Sequence, residues 1–272
     1  MTENPMSLAF ANPNTATARL AVLIDADNTM KLAPMTEALF AEIAKFGAAT
    51  VKRIYGDWTQ PNLAPWKKVL AEHAIQPIQQ FANTTGKNAT DSALIIDAMD
   101  LLYTNRFDGF CIVSSDSDFT RLAVRIREAG LTAYGIGEQK TPKPFVSACD
   151  KFIYVELLGG GEQSTGEGAP KKKNARELRG DARLMSLLRA GIETASDESG
   201  WANLDAVRAH AIKQAPDFDQ RTWGFSKLRD LVAAIGQFEV DQRKRADGNP
   251  GVVYVREKNK GKSGSAAPAG SP

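Results

Sequence analysis

Cysteine and histidine are scarce in this chain, with two of each among 272 residues. Cys111 and Cys149 match the spacing of no zinc knuckle or redox pair and lie in apolar stretches. They read as buried small hydrophobes, and a disulfide scaffold is excluded. His73 and His210 stand outside every acidic cluster and read as surface or packing residues, which leaves no histidine for general acid or base work. No apolar run approaches the roughly 18 residues that a membrane-spanning helix needs. Residues 1–18 have neither the basic start nor the apolar middle of a signal peptide. The expectation is a cytoplasmic protein with no membrane contact and a disordered leader over 1–18.

Charge of one sign is also missing from the whole, but not from its parts. Lys and Arg total 34 against 32 Asp and Glu. Residues 1–170 carry 15 basic and 19 acidic side chains, net −4, whereas 171–272 carry 19 basic and 13 acidic, net +6. An acidic unit joined to a basic one suits metal-binding carboxylates beside a surface that attracts a polyanion. Two unrelated domains of opposite charge would give the same totals.

Strand and helix signals alternate through the first part. Arg19–Ile24 is an apolar run that ends at Asp25 and reads as a buried strand. Residues 34–46 place Met35, Leu39, Phe40, Ile43 and Phe46 at helical spacing, with Pro34 near the first turn and Gly47 as the stop. A strand over 50–57, a helix near 63–73 and a strand over 75–81 follow, and Pro77 assigns the last to an edge. The spacing then predicts helices over 90–103 and 118–129 and strands over 110–113, 132–137 and 152–155. This is an α/β pattern, a mainly parallel sheet with helices on both faces, over residues 19–158.

Residues 159–174 are rich in Gly, Pro and short polar residues, include Lys171, Lys172 and Lys173, and read as a flexible linker. A second domain is expected over 175–257. One helix runs through Leu178, Leu184, Leu187, Leu188 and Ile192, a second through Val207, Ala211 and Ile212, and a third over 225–235. Two short strands, 238–241 and 252–255, flank the polar hairpin 243–250, so the plan is a winged helix-turn-helix. Trp201, Leu204, Phe225, Leu228 and Leu231 look like its core. A disordered tail is expected over 258–272.

Ligands of an open parallel sheet bind beyond the carboxyl ends of its strands. Asp25 and Asp27 occupy that position after the first strand, Asp116 and Asp118 occupy it after the strand 110–113, and Asp91 opens the helix 90–103. Taken singly, each has an ordinary structural explanation as a helix cap, a dipole partner or a strand end. Jointly they deliver carboxylates from three segments to one crevice, where mutual repulsion calls for a cation. Hard oxygen ligands in that number suit Mg²⁺ or Mn²⁺, and such a site is suited to phosphodiester hydrolysis. Asp25, Asp91 and Asp116 are the expected direct ligands, with Asp118 a ligand or the group that orients water. Asp27, Asn28, Asp97, Ser114 and Ser115 are auxiliary candidates, and Asp57 is a weaker one.

Lys52, Arg53, Lys67, Lys68 and Lys87 are available to meet a phosphate backbone, and Trp58 or Trp66 to stack on bases. In the second domain Arg221, Lys227, Arg229, Arg243, Lys244 and Arg245 are candidates for a phosphate-facing surface. RNA is the expected partner. DNA and a protein partner stay open, and no heptad pattern calls for a dimer.

The segments Leu23–Asn28, Gly86–Asp91 running into Asp97, and Val113–Phe119 together resemble the signature of the NYN domain family, a branch of the PIN-like nuclease superfamily, over about 19–157. The resemblance implies a PIN-like three-layer α/β/α sandwich, ribonuclease activity and Mg²⁺ or Mn²⁺ held by Asp25, Asp91, Asp116 and Asp118. Ser115 departs from the glycine common at its position. Gly200–Leu204, Pro216–Phe218, Trp223–Leu231, Phe238–Val240 and Tyr254–Arg256 resemble the OST-HTH or LOTUS domain, which implies contacts with RNA or protein. Two other functions compete. Asp25–Thr29 also resembles the opening of haloacid-dehalogenase-like phosphatases, in which Asp25 would be the nucleophile. A non-catalytic RNA-binding or protein-interaction adaptor would also use both domains.

Overall fold

A computed structural model describes residues 17–81, 89–159, 171–243 and 251–258, which fall into two units that divide between Gly159 and Gly160. In the first unit six strands pair in parallel: β1 (Arg19–Asp25), β2 (Ala48–Gly56), β3 (Gln76–Gln79), β4 (Gly109–Val113), β5 (Thr132–Gly137) and β6 (Lys151–Tyr154). Their order is β3-β2-β1-β4-β5-β6. The chain thus works outward from β1 in one direction and from β4 in the other. Right-handed crossovers then force the connecting helices onto opposite faces.

On one face α1 (Thr36–Ile43) and α2 (Ala64–Val69) bury Leu39, Ile43 and Trp66 against Leu20, Val22 and Ile24 of β1. On the other, α3 (Ala89–Tyr103), α4 (Thr120–Glu128) and α5 (Lys143–Ala148) bury Leu94, Ala98, Leu122, Ile126 and Phe145 against Ala21, Leu23, Phe110 and Ile112. The alternation of the pleat, continued one step past Leu23, turns Asp25 toward the α3 face. The three-layer α/β/α sandwich with a parallel sheet is the fold expected from the sequence. Pro77 lies on the edge strand β3, where its missing N–H costs no ladder bond.

Two local differences have physical reasons. Met30–Met35 form a 3₁₀ turn around Pro34 before α1 begins at Thr36, so the first helix starts later than its apolar spacing suggests. The six-residue α5, which opens on Pro142 and contains Pro144, is too short to show a helical period in sequence.

The second unit contains α6 (Ala175–Gly180), α7 (Ala182–Ala195), α8 (Leu204–Gln214) and α9 (Leu228–Ile235) beside an antiparallel sheet of β7 (Ala202–Asn203), β9 (Val252–Glu257) and β8 (Phe238–Arg243). The single opening helix expected from 175 is broken at Asp181, whose carboxylate accepts the Leu184 N–H at 3.0 Å and starts α7 afresh. The third helix begins at Leu228 because Gly224 takes a left-handed conformation (φ 80°) and Lys227 is extended. Strand β7 adds a third member to the wing. Lys171–Asn174 were expected to be linker, yet they are engaged with this unit: the Lys173 N–H donates to the Trp223 carbonyl at 3.1 Å and Asn174 caps α6.

Candidate metal centre

The strand order reverses between β1 and β4, and a sheet of this kind opens its ligand crevice beyond the carboxyl ends of those two strands. Asp25, the last residue of β1, is fully buried there. Its Oδ2 accepts Asn28 Nδ2 and Ser114 Oγ, both at 2.7 Å, and its Oδ1 accepts the Asn28 N–H at 3.3 Å. The Thr29 hydroxyl donates to the Asp25 carbonyl and tightens the turn. Burial raises the Asp25 carboxyl above its ordinary range, and these hydrogen bonds oppose the rise.

Asp91 comes from the first turn of α3, and Asp116 and Asp118 come from the turn after β4. One carboxylate oxygen from each lies within 4.8 Å of the other two. Opposite ligands of a Mg²⁺-sized ion stand about 4.2 Å apart, so three hard oxygen donors are here nearly at coordination spacing. Asp116 is fixed by two local bonds: its N–H donates to Ser114 Oγ at 3.1 Å, and its Oδ1 accepts the Asp118 N–H at 2.9 Å. Asp91 is pushed up to about 6, first by burial and then by the negative charges of Asp25, Asp116, Asp118 and Asp27. That repulsion is what a divalent cation would relieve.

Asp25, expected to be a direct ligand, is not one of the three residues whose oxygens gather within 4.8 Å; its carboxylate is held by Asn28 and Ser114, and its charge raises Asp91. Asp27 accepts the Thr90 hydroxyl at 3.3 Å and is raised by burial. Asp57 accepts Thr59 Oγ1, Gln79 Nε2 and Gln60 Nε2 at 2.6, 2.9 and 3.1 Å, and these bonds hold its carboxyl far below the usual range. Ser115 Oγ accepts the Glu138 N–H at 2.8 Å, so its side chain ties the turn to the end of β5. Asp97 accepts Arg53 Nη1 at 2.8 Å and the buried Tyr55 hydroxyl at 3.0 Å. Tyr55 was missed in the sequence, although the period of two in β2 already places residues 53 and 55 on one face.

The expected nucleic-acid contacts divide sharply. Arg53 is paired with Asp97, and Lys52 donates to the His73 carbonyl at 3.0 Å with its ammonium over the Phe40 ring, so both serve packing. Trp66 is fully buried, which corrects its assignment to base stacking, whereas Trp58 is half-buried with its indole N–H donating to the Ile78 carbonyl at 3.0 Å. Lys67 and Lys68 are exposed on α2. Arg221 is clamped on Asp219 at 2.7 Å and Arg229 is engaged by Asp230 and Gln242, whereas Lys227 is exposed. Trp201, expected in the core, is half-buried with the guanidinium groups of Arg243 and Arg256 at 5.3 and 4.5 Å from its ring centre. Lys87, Lys244 and Arg245 lie outside the described residues. Among the described residues no helix is long and apolar enough to cross a membrane.

The phosphatase reading requires an Asp25 oxygen open to attack phosphorus. Asp25 is instead fully buried, with its Oδ2 bonded to both Asn28 and Ser114.

Two family models match the chain. The NYN domain family matches residues 19–157, and the OST-HTH/LOTUS domain matches residues 180–250. A protein of unknown function from Vibrio parahaemolyticus is similar in structure at 16% identity and a TM-score of 0.43, covering 51% of this chain and 93% of its own. An uncharacterized protein from Nitrosomonas europaea is 28% identical with a TM-score of 0.28, covering 40% of this chain and 96% of its own. A fragment from Chromobacterium violaceum is 25% identical with a TM-score of 0.26, covering 35% and 94%. The curated proteins contain no match. With the first match spanning just over half of its length, the chain belongs to the NYN domain family of PIN-like nuclease domains and carries an OST-HTH/LOTUS domain behind it.

Proposed function

We propose that this protein is a metal-dependent endoribonuclease in which Asp91, Asp116 and Asp118 hold Mg²⁺ or Mn²⁺ at the β1/β4 crevice and the second unit retains the RNA. The observation that carries this reading is the convergence of those three carboxylates, from two separate segments, to within 4.8 Å at the strand-order reversal. A divalent ion there supplies charge neutralisation for the scissile phosphate and activation of a water. The protein's own part is positional. Ser114 and Asn28 orient Asp25, Asp25 sets its negative charge against Asp91, and Asp116 caps the turn that presents Asp118.

The test is cleavage of labelled single-stranded RNA and DNA by the full chain and by Asp116→Asn, with Mg²⁺, Mn²⁺ or EDTA. Expected is RNA cleavage by the wild type that EDTA abolishes and that falls at least about a hundredfold in Asp116→Asn. Equal cleavage by both proteins would identify a contaminant. No cleavage across a broad RNA panel would leave an adaptor that binds without turnover.

A further inference from the structure

Beyond the crevice, a run of exposed positive charge lies at the start of the second unit. Lys171, Lys172, Lys173, Arg176 and Arg179 are all exposed. The carboxylates in the same stretch are already occupied. Glu177 closes the capping box of α6 by accepting the Asn174 N–H at 2.8 Å, and Asp181 accepts both Leu184 N–H and Trp223 Nε1. Lys173 Nζ forms a long ion pair with Asp181 Oδ2 at 3.9 Å, beyond hydrogen-bond distance.

Two of the lysines are also held in place. Lys173 is anchored through its N–H on the Trp223 carbonyl, and the Lys172 ammonium sits 4.9 Å from the centre of the Phe225 ring. Gly224 lies directly beneath the strap, where a Cβ would come within 2.5 Å of Lys172 Cα and 2.6 Å of Lys172 N. Only glycine permits this approach. Lys227, two residues beyond Phe225, is also exposed.

We propose that Lys171, Lys172 and Lys173 form a pre-ordered track for the phosphate backbone of single-stranded RNA, a proposal that deepens the ribonuclease reading and rests on it. Flexible ammonium groups act as point charges that tolerate an irregular backbone and read no base. Fixing their main chain beforehand lowers the ordering cost of binding. The strap precedes the segment matched by the OST-HTH/LOTUS domain, which begins at residue 180.

The experiment measures binding of a fluorescein-labelled, unstructured single-stranded RNA to the full chain in EDTA, across a salt series. Replacing all three lysines (K171Q/K172Q/K173Q) is expected to weaken binding about tenfold and to flatten the salt slope by about 2, since each phosphate contact on a single strand contributes about 0.7. Gly224→Ala keeps every charge but lifts the strap, with an expected loss of about threefold. Circular dichroism melts establish that each variant is folded, and the triple variant decides the matter if Gly224→Ala is not. Wild-type affinity and slope in the triple variant would overturn the track. So would loss of polyglutamate binding with RNA binding intact, which would mark an acidic protein as the partner. Cleavage by the wild type with Mn²⁺ reports separately on the nuclease: RNA cut but bound without the lysines sinks the track alone, and RNA bound through them but never cut sinks only the nuclease.

Discussion

Ser114 Oγ donates to Asp25 Oδ2 across 2.7 Å, so the ends of the two strands at the crevice are joined by a buried hydrogen bond. The same oxygen accepts the Asp116 N–H at 3.1 Å. One serine therefore orients the Asp25 carboxylate and the turn that delivers two members of the three-oxygen cluster.

Removing that hydroxyl should cost activity more than stability. In Ser114→Ala, Asp25 keeps only Asn28 as a side-chain donor, and the lost bond to a charged group is worth about 1.5–3 kcal/mol. Steady-state kinetics on RNA with Mn²⁺ should show kcat/KM lower by about tenfold or more, with Ser114→Thr recovering part of it. Undiminished turnover in Ser114→Ala would show that Asp25 needs no such alignment.

Asp91 sets activity against stability. Its folded-state carboxyl sits at about 6 against an ordinary 3.8, so the folded protein binds this proton more tightly than the unfolded chain does. The folded state is therefore penalised above about pH 6, and the penalty fades as pH falls from about 6 toward 3.8. Asp91→Asn should stabilise the metal-free protein at pH 7 by about 1–2 kcal/mol, after allowance for solvent screening of a half-buried group. It should also flatten the pH dependence of stability in that window and abolish Mn²⁺-induced stabilisation. Thermal melts with and without Mn²⁺ check all three, and a less stable metal-free Asp91→Asn would contradict the repulsion.

The sheet was legible because buried parallel strands are short apolar runs, and Asp25 and Asp116 were visible as acids at the ends of such runs, Asp91 as the acid that opens a helix. What the sequence could not divide was the labour among the acids. Asp25 and Asp91 look alike in one dimension, yet Ser114 lies 89 positions from Asp25 and covers one of its oxygens. Arg53 and Lys52 read as equivalent cations, but adjacent strand residues face opposite layers, and each found a different packing partner. The lysine strap read as linker because what orders it is the absence of a side chain at Gly224, some fifty residues away.

Asp97 locks α3 to β2 by accepting both Arg53 and Tyr55, nearly two helical turns below Asp91. Asp97→Asn should destabilise the protein by about 1–2 kcal/mol, the range for a partly exposed ion pair with a second hydrogen bond. Tyr55→Phe should cost about 1 kcal/mol. If the clamp also aims Asp91, electron paramagnetic resonance should show weaker Mn²⁺ binding in Asp97→Asn at temperatures where the protein is fully folded. Weaker folding with unchanged Mn²⁺ affinity would confine Asp97 to stability.

Gly137, at the end of β5, approaches the same turn from the other side. A Cβ there would stand 2.5 Å from the Ser114 carbonyl oxygen and 2.8 Å from Thr141 Oγ1. The oxygen belongs to the main chain and cannot rotate away, so Gly137→Ala must displace Ser114 itself. Overpacking of this kind costs about 1–3 kcal/mol, measurable by urea unfolding. Because Ser114 holds both Asp25 and the Asp116 turn, the displacement should reach the metal centre, with Mn²⁺ affinity falling in the fully folded variant. Reduced stability with unaltered Mn²⁺ affinity would mean that the strand end yields without moving the serine, and that the rigidity of the crevice comes from elsewhere.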